Sequence, residues 1–344
     1  MSDGRAFRVA VVGATGLVGG EIVSLLDERG FPVADLLLYA AEDSEGEEVD
    51  FCGEARRVER LPEAPPKVDV AFLCATPEIS RKVGPRLAAE GAVAIDLAPE
   101  STGDAEVPVV LGVGDLAPTA WQASGGLRVR VPDPLSRLVA VPLRALAPLG
   151  KIERAIATFL VSASAFGRKR VERLSEETLA LLNLREPESD ASLPELAFRC
   201  APDVSSDPAS TSRRVGAEIS QLIGAVAPVV ANVVEVPMFF GQAASLSVEF
   251  QSPALGDQVR AILRETPSLV VADGGSERLT TLDALDTDGI LVVGLRQEAC
   301  DPKWLHLWLL GDNVRQGAAL AAVALVEGLL LRSRGPAPAK APGG

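Results

Sequence analysis

The first 140 residues alternate short apolar runs with stretches whose apolar positions recur every three to four residues. "FRVAVVG" (7–13), "ADLLLYA" (34–40), "VDVAFLCA" (68–75) and "AVAIDLA" (92–98) have the length and β-branched content of buried strands. "VGGEIVSLLDERG" (18–30), ending at Gly30, and "PEISRKVGPRLAAEG" (77–91) carry the helical period. Such alternation predicts a parallel, doubly wound, Rossmann-like sheet, with a helix on "SRLVAVPLRALAPLG" leading out of the domain near Gly150. Beyond it the texture changes to longer runs, "ERAIATFLVSAS", "ANVVEVPMFF" and "ASLSVEFQ", separated by helical "KRVERLSEETLALLN" and "SRRVGAEISQLIG". Their alternating faces predict a mostly antiparallel sheet flanked by helices, an α+β domain. The expected organisation is a dinucleotide-binding domain over 1–150, an α+β domain over 151–312, a terminal helix over 313–332 that returns to the first domain, and a disordered tail over 333–344. The stretch 183–212, rich in Pro, Ser, Asp and Glu, reads as an arm.

A formal charge of −14, from 47 acidic and 33 basic residues, repels nucleic acid and anionic membrane surfaces, and neither is an expected partner. Cys52, Cys74, Cys200 and Cys300 are too dispersed for a Cys-x-x-Cys pair, and His306 is the single histidine, so no metal site is expected. No basic, apolar leader and no run of about 20 apolar residues is present, which makes the cytoplasm the default location.

The most specific local signal is "VAVVGATGLVGGEIV", where Gly13, Gly16 and Gly19 stand between a strand and a helix. Glycines let the backbone approach a pyrophosphate, and the helix start offers N–H groups and a positive dipole. Gly13, Thr15, Gly16, Leu17 and Val18 are therefore the cofactor-binding candidates, the alternative being a tight turn kept for packing. The next strand leads into "YAAEDSEGEE", whose Glu42, Asp43 and Glu45 suit a ribose 2′-hydroxyl and repel a 2′-phosphate. NAD is favoured over NADP, unless this is only a solvated acidic loop.

"RVRVPDPLSRLV" (128–139) runs from a strand through a Pro-Asp-Pro turn into a helix, with Ser136 as an apparent N-cap. Enzymes mount nucleophiles at such places, because the helix start stabilises an anion. Here the turn offers Pro134 and Leu135.

"VGATGLVG", "GAVAIDLA", "ELAFRCAPDV", "VVEVPMFFGQAASLSVEF" and "GDNVRQGAALAAVAL" together resemble the aspartate-semialdehyde dehydrogenase family in order and spacing over nearly the whole chain. The resemblance implies a Rossmann domain, an α+β dimerisation domain and a homodimer. It also implies reduction of aspartyl phosphate through a cysteine thioester, with hydride from NADPH. That chemistry needs a thiolate, a histidine to move its proton and an arginine for the substrate carboxylate. Matched to the family's motifs, Pro134 falls at the cysteine, Leu160 at an orienting glutamine, Glu235 at the arginine and Gln242 at the histidine. Ala163 and Ser164 replace a Ser-Gly pair. Glu218 matches an acidic residue facing the substrate, Arg214 a lysine, and Asn313 an asparagine that approaches the nicotinamide. Glu218, Arg214 and Asn313 could equally persist to hold their elements in place. With Glu235 reversing the arginine's sign, the carboxylate site becomes repulsive by roughly 4 kcal/mol at about 4 Å and an effective dielectric of ~20.

Ser136 lacks a base, His306 lies in the apolar run "WLHLWLLG", and buried cysteines such as Cys74 are usually inert, so none replaces the lost nucleophile. The expectation is a catalytically silent homodimer with a possible NAD or NADP site and a regulatory or binding role through contact with a metabolic enzyme. The alternative is an NAD-linked oxidoreductase that transfers hydride to a different substrate, without a thioester.

Overall fold

The computed structural model describes residues 6–330 apart from 99–106, 117–124, 188–193, 206, 208–209, 225, 255, 273–277 and 286. The tail expected over 333–344 and the last residues of the terminal helix lie outside the described residues.

The first domain contains β1 (Phe7–Val12), α1 (Leu17–Glu28), β2 (Val33–Ala40), β3 (Glu48–Phe51), β4 (Glu54–Arg57), β5 (Glu59–Arg60), β6 (Val70–Leu73), α2 (Pro77–Ala89), β7 (Val93–Asp96), β8 (Leu127–Arg130) and α3 (Pro134–Leu146). Its six-stranded sheet has the order β5-β2-β1-β6-β7-β8. Chain order reverses direction at β1, which places a crevice beyond the carboxyl ends of β1 and β6, where such sheets bind ligands. Gly13 leaves β1 there with φ +91°, and a Cβ on it would lie 2.6 Å from the Cys74 carbonyl oxygen. Only glycine fits this junction.

The hairpin β3–β4 is not among the elements the sequence predicts, because its strands are only four residues long and β4 is charged on both faces. It turns at Cys52 and Gly53, both at positive φ (55° and 74°), the conformation of a type I′ turn.

The second domain continues with β9 (Ile152–Val161), α4 (Arg168–Leu182), β10 (Ala201–Pro202), α5 (Thr211–Leu222), β11 (Val229–Glu235), β12 (Gln242–Phe250), α6 (Gly256–Glu265), β13 (Leu269–Val271), α7 (Thr281–Leu285), β14 (Ile290–Gln297) and β15 (Trp304–Gly311). The seven-stranded sheet has the order β10-β11-β9-β12-β15-β14-β13. Its pairs are antiparallel except β9 with β11 and β13 with β14. One face packs on α3, α5 and α6 through Ala155, Ala157, Phe159, Leu246 and Val248. The opposite face leaves Ile156, Val230 and Trp308 substantially exposed.

A π-helical turn, Arg315–Ala319, leads into α8 (Leu320–Leu330). Val323, Leu325, Val326 and Leu329 of α8 join the core cluster of Ile22, Val23 and Leu26 on α1. Burial of each contributes about 1.5–3 kcal/mol, well above the ~0–1 kcal/mol of the exposed Arg29–Glu327 pair nearby. Apolar packing therefore brings the chain end back to the first domain.

Candidate functional site

Two segments meet where the first domain hands over to the second. The turn after β8 starts α3 at Pro134, whose fixed φ suits the first helical position. Asp133, and not Ser136, caps this helix: its Oδ1 accepts from the Leu135 N–H at 2.9 Å. Ser136 lies inside the first turn and is fully buried. The Pro134 carbonyl accepts a hydrogen bond from Gln242 Nε2 at 3.1 Å. A Cβ on Gly317 would lie 2.8 Å from Pro134 Cβ, so the proline ring is packed directly on the π-helical turn.

Pro134 and Gln242, the positions that the resemblance matches to a nucleophile and a base, are thus adjacent through the Pro134 backbone carbonyl, and neither side chain is a thiol or a titratable base. Proline has no nucleophilic atom, and a glutamine amide does not titrate. Gln242 is fully buried, and its Oε1, like Nε2 of the nearby Gln316, has no hydrogen-bond partner among the described residues.

The remaining two positions diverge. Register aligns Gln242 with Val161 and Val161 with Glu235, whereas Leu160 aligns with Ala243, one step along and on the other face. Leu160 packs into a separate apolar cluster with Ala243, Ala284, Leu291 and Leu310. Glu235 does not present a lone negative charge, which corrects the repulsive carboxylate site expected above. Its Oε1 accepts from Arg170 Nε at 2.6 Å, and the Arg170 side chain is almost completely buried. Arg170 also donates to the Pro194 carbonyl at 2.9 Å and lies near Glu177. The carboxylate at position 235 is thus matched by a cation on α4.

Glu218 and Arg214 are engaged as well. Glu218 Oε2 accepts from the Asp133 N–H at 2.9 Å, and its Oε1 lies 3.0 Å from Arg130 Nη2. Arg214 donates to Asp133 Oδ2 at 2.7 Å. Burial, then the adjacent Asp133 carboxylate, push the Glu218 pKa above the ordinary carboxylate value, against the opposing pull of Ser136, Arg130 and the Asp133 N–H. Asn313 Oδ1 accepts from Ser164 Oγ at 3.0 Å and from the Gly241 N–H at 3.2 Å. Because Ser164 spends its proton on Asn313, Ser162 is the donor in the 2.9 Å contact between the two serines. This chain ties the end of β9 to the segment leading into α8.

The other possible reagents are remote or inert. Burial, then Asp96, push the Cys74 thiol well above its usual range, and a thiol held protonated is a poor nucleophile. His306 pairs in register with Ser247, whereas Gln242 pairs with Gly311, a separation of about 17 Å along the strand. Its Nδ1 lies 2.8 Å from Ser247 Oγ and its ring stacks on Trp304.

In the first domain, Tyr39 O accepts from both Gly13 N and Ala14 N, which fixes the glycine loop. Helix α1 then starts at Leu17 without a side-chain cap on Gly16 and without an acidic residue in its first turn. A Cβ on Gly19 would lie 2.1 Å from the Gly13 carbonyl oxygen, so this glycine is required by packing alone. Glu42 and Asp43 lie in a short exposed turn after β2, followed by Glu45.

A family profile described as "Semialdehyde dehydrogenase, NAD binding domain" matches residues 8–120, and one described as "Semialdehyde dehydrogenase, dimerisation domain" matches residues 142–316. Aspartate-semialdehyde dehydrogenase 2 of Vibrio cholerae is 31% identical over 335 residues, covering 95% of this chain and 98% of that protein. The USG-1 protein homolog of Pseudomonas aeruginosa is 33% identical, covering 95% of this chain and 98% of its own length. Among solved structures, aspartate semialdehyde dehydrogenase II from Vibrio cholerae, complexed with ASA, superposes with a TM-score of 0.86 at 30% identity, over 95% of this chain and 99% of that one. With both halves matched in order, and relatives similar over nearly their full length, the chain belongs to the semialdehyde dehydrogenase family.

Proposed function

We propose that this chain binds a nicotinamide dinucleotide on the semialdehyde dehydrogenase scaffold but is catalytically silent in thioester chemistry, acting as a homodimeric binding or regulatory protein. The observation that carries this reading is the contact between Pro134 and Gln242. Gln242 Nε2 lies 3.1 Å from the Pro134 backbone carbonyl, so the two positions are adjacent, yet they contain neither a thiol nor a base. Leu160 and the Glu235–Arg170 pair remove the orienting amide and the free substrate-binding cation as well.

The residues that would hold the cofactor fit it: the fixed glycine loop, the uncapped start of α1, and the crevice at the sheet's switch point. Gly13, Thr15, Gly16, Leu17 and Val18 would face the pyrophosphate, and Asn313 the nicotinamide. A bound nicotinamide supplies or accepts hydride. NAD is favoured over NADP, because Glu42 pairs with Arg60 at 3.2 Å while Asp43 and Glu45, unpaired with any cation among the described residues, suit a 2′-hydroxyl. The dimerisation-domain match, and the exposed Ile156, Val230 and Trp308 on one sheet face, support the homodimer. The partner such a protein would regulate is a metabolic enzyme of amino-acid biosynthesis, in the cytoplasm.

A second reading, hydride transfer with a different aldehyde and no covalent intermediate, draws on one observation. Glu218 is a buried carboxyl with a raised pKa beside the same turn, a group suited to holding a proton.

Calorimetric titration with NADH and NADPH tests the binding claim. Binding of both, tighter for NADH, is expected. No heat at millimolar cofactor would remove the dinucleotide reading, and tighter NADPH binding would refute the role given to the acidic turn.

A further inference from the structure

We infer that Arg168, a residue of the second domain, supplies the cation that holds the pyrophosphate of a dinucleotide seated on the glycine loop of the first, so that cofactor binding clasps the two domains. The inference rests on the reading above that a dinucleotide binds there. Arg168 opens α4, directly after Gly167 at φ +91°. Its Nη2 donates to the Thr15 carbonyl at 2.9 Å, and Thr15 immediately precedes Gly16, the N-cap of α1. The guanidinium is thus fixed within one residue of the point where a pyrophosphate would meet the helix.

Its electrostatic surroundings suit an anion. Both α1 and α4 begin without a side-chain cap and without an acidic residue in the first turn, and helix starts carry partial positive charge that disfavours a cation. Arg168 pairs with no carboxylate among the described residues; its one hydrogen bond is to a neutral carbonyl. Other arginines nearby are neutralised. Arg170 pairs with Glu235, Arg173 with Glu177, and Arg315, packed against α1, with Glu21, Glu28 and Asp288. In a chain with 47 acidic and 33 basic residues, an exposed cation held beside the start of α1, with no carboxylate partner among the described residues, suits a negative ligand. A pyrophosphate is such a ligand, with four of the five guanidinium N–H groups still available.

The test is NADH titration of the full chain and of its Arg168→Gln and Arg168→Lys variants at low and high salt. Glutamine keeps a donor for the Thr15 carbonyl and removes the charge. Arg168→Gln is expected to weaken NADH binding about tenfold at low salt, with a smaller loss at high salt, and Arg168→Lys to recover most of it. Binding by Arg168→Gln within about twofold of wild type, or a loss equal at both salt concentrations, overturns the inference alone. Failure of the unaltered chain to bind NADH overturns the dinucleotide reading and this inference with it.

Discussion

Glu218→Ala is expected to lower the stability of the folded chain by about 3–5 kcal/mol, read as a shift of the denaturant midpoint with an unchanged slope. The carboxylate sits 3.0 Å from Arg130 Nη2 and accepts from the Asp133 N–H, so truncation removes a buried cation's partner and an acceptor at the N-cap of α3 in one step. Glu218→Gln is expected to cost far less, because the raised pKa means that the native site favours the neutral carboxyl relative to water. The same shift fixes a pH dependence. A carboxyl with a higher pKa when folded binds its proton more tightly in the native state, so its contribution to stability is greatest below its unfolded pKa. That contribution declines as the pH rises from the ordinary carboxylate value through the raised one. Stability profiles of wild type and Glu218→Gln should diverge in that window. Identical profiles would show that Glu218 titrates normally and that the network around Asp133 is misread.

Glu235→Arg, which places there the arginine that the resemblance implies, is expected to destabilise the protein by about 3–5 kcal/mol rather than prepare a substrate site. The residue it would face is Arg170, held 2.6 Å from Glu235 and almost fully buried. At about 4 Å and an effective dielectric of ~20, like charges repel by roughly 4 kcal/mol, and the original attraction is lost as well. The measurement is again the denaturant midpoint, with Arg170→Glu added in the same chain as the control. Partial recovery in the double variant is expected, because the pair between β11 and α4 is re-formed with its charges exchanged while the new carboxylate lies near Glu177. Unchanged stability of the single variant would mean that the pair contributes nothing.

That exchange marks the limit of what the sequence could disclose. The doubly wound sheet and its glycine loop were legible, because their period and the Gly13–Gly19 spacing are local. The turn around Pro134 was legible too, since it is one short stretch between a strand and a helix. The partner of Glu235 was not, because Arg170 is 65 residues away and only tertiary packing brings it close. Position 235 therefore reads as a lone negative charge in the sequence and as half of a largely buried pair in the structure. The cap of α3 was available and passed over: an Asp followed by Pro at the first helical position is a stronger start signal than a serine two residues later. Leu160 shows a different limit. The resemblance matches it to an orienting glutamine, but successive strand residues face opposite ways, and its side chain packs with Leu291 and Leu310.

The central claim is that the scaffold keeps the contact between nucleophile and base positions and has lost both reagents. It is tested most directly by incubating the purified chain, shown beforehand to bind cofactor, with aspartate semialdehyde, phosphate and either NAD or NADP. The expected result is no reduction of the nicotinamide above the no-protein control with either cofactor. Reduction that rises in proportion to protein concentration would contradict it.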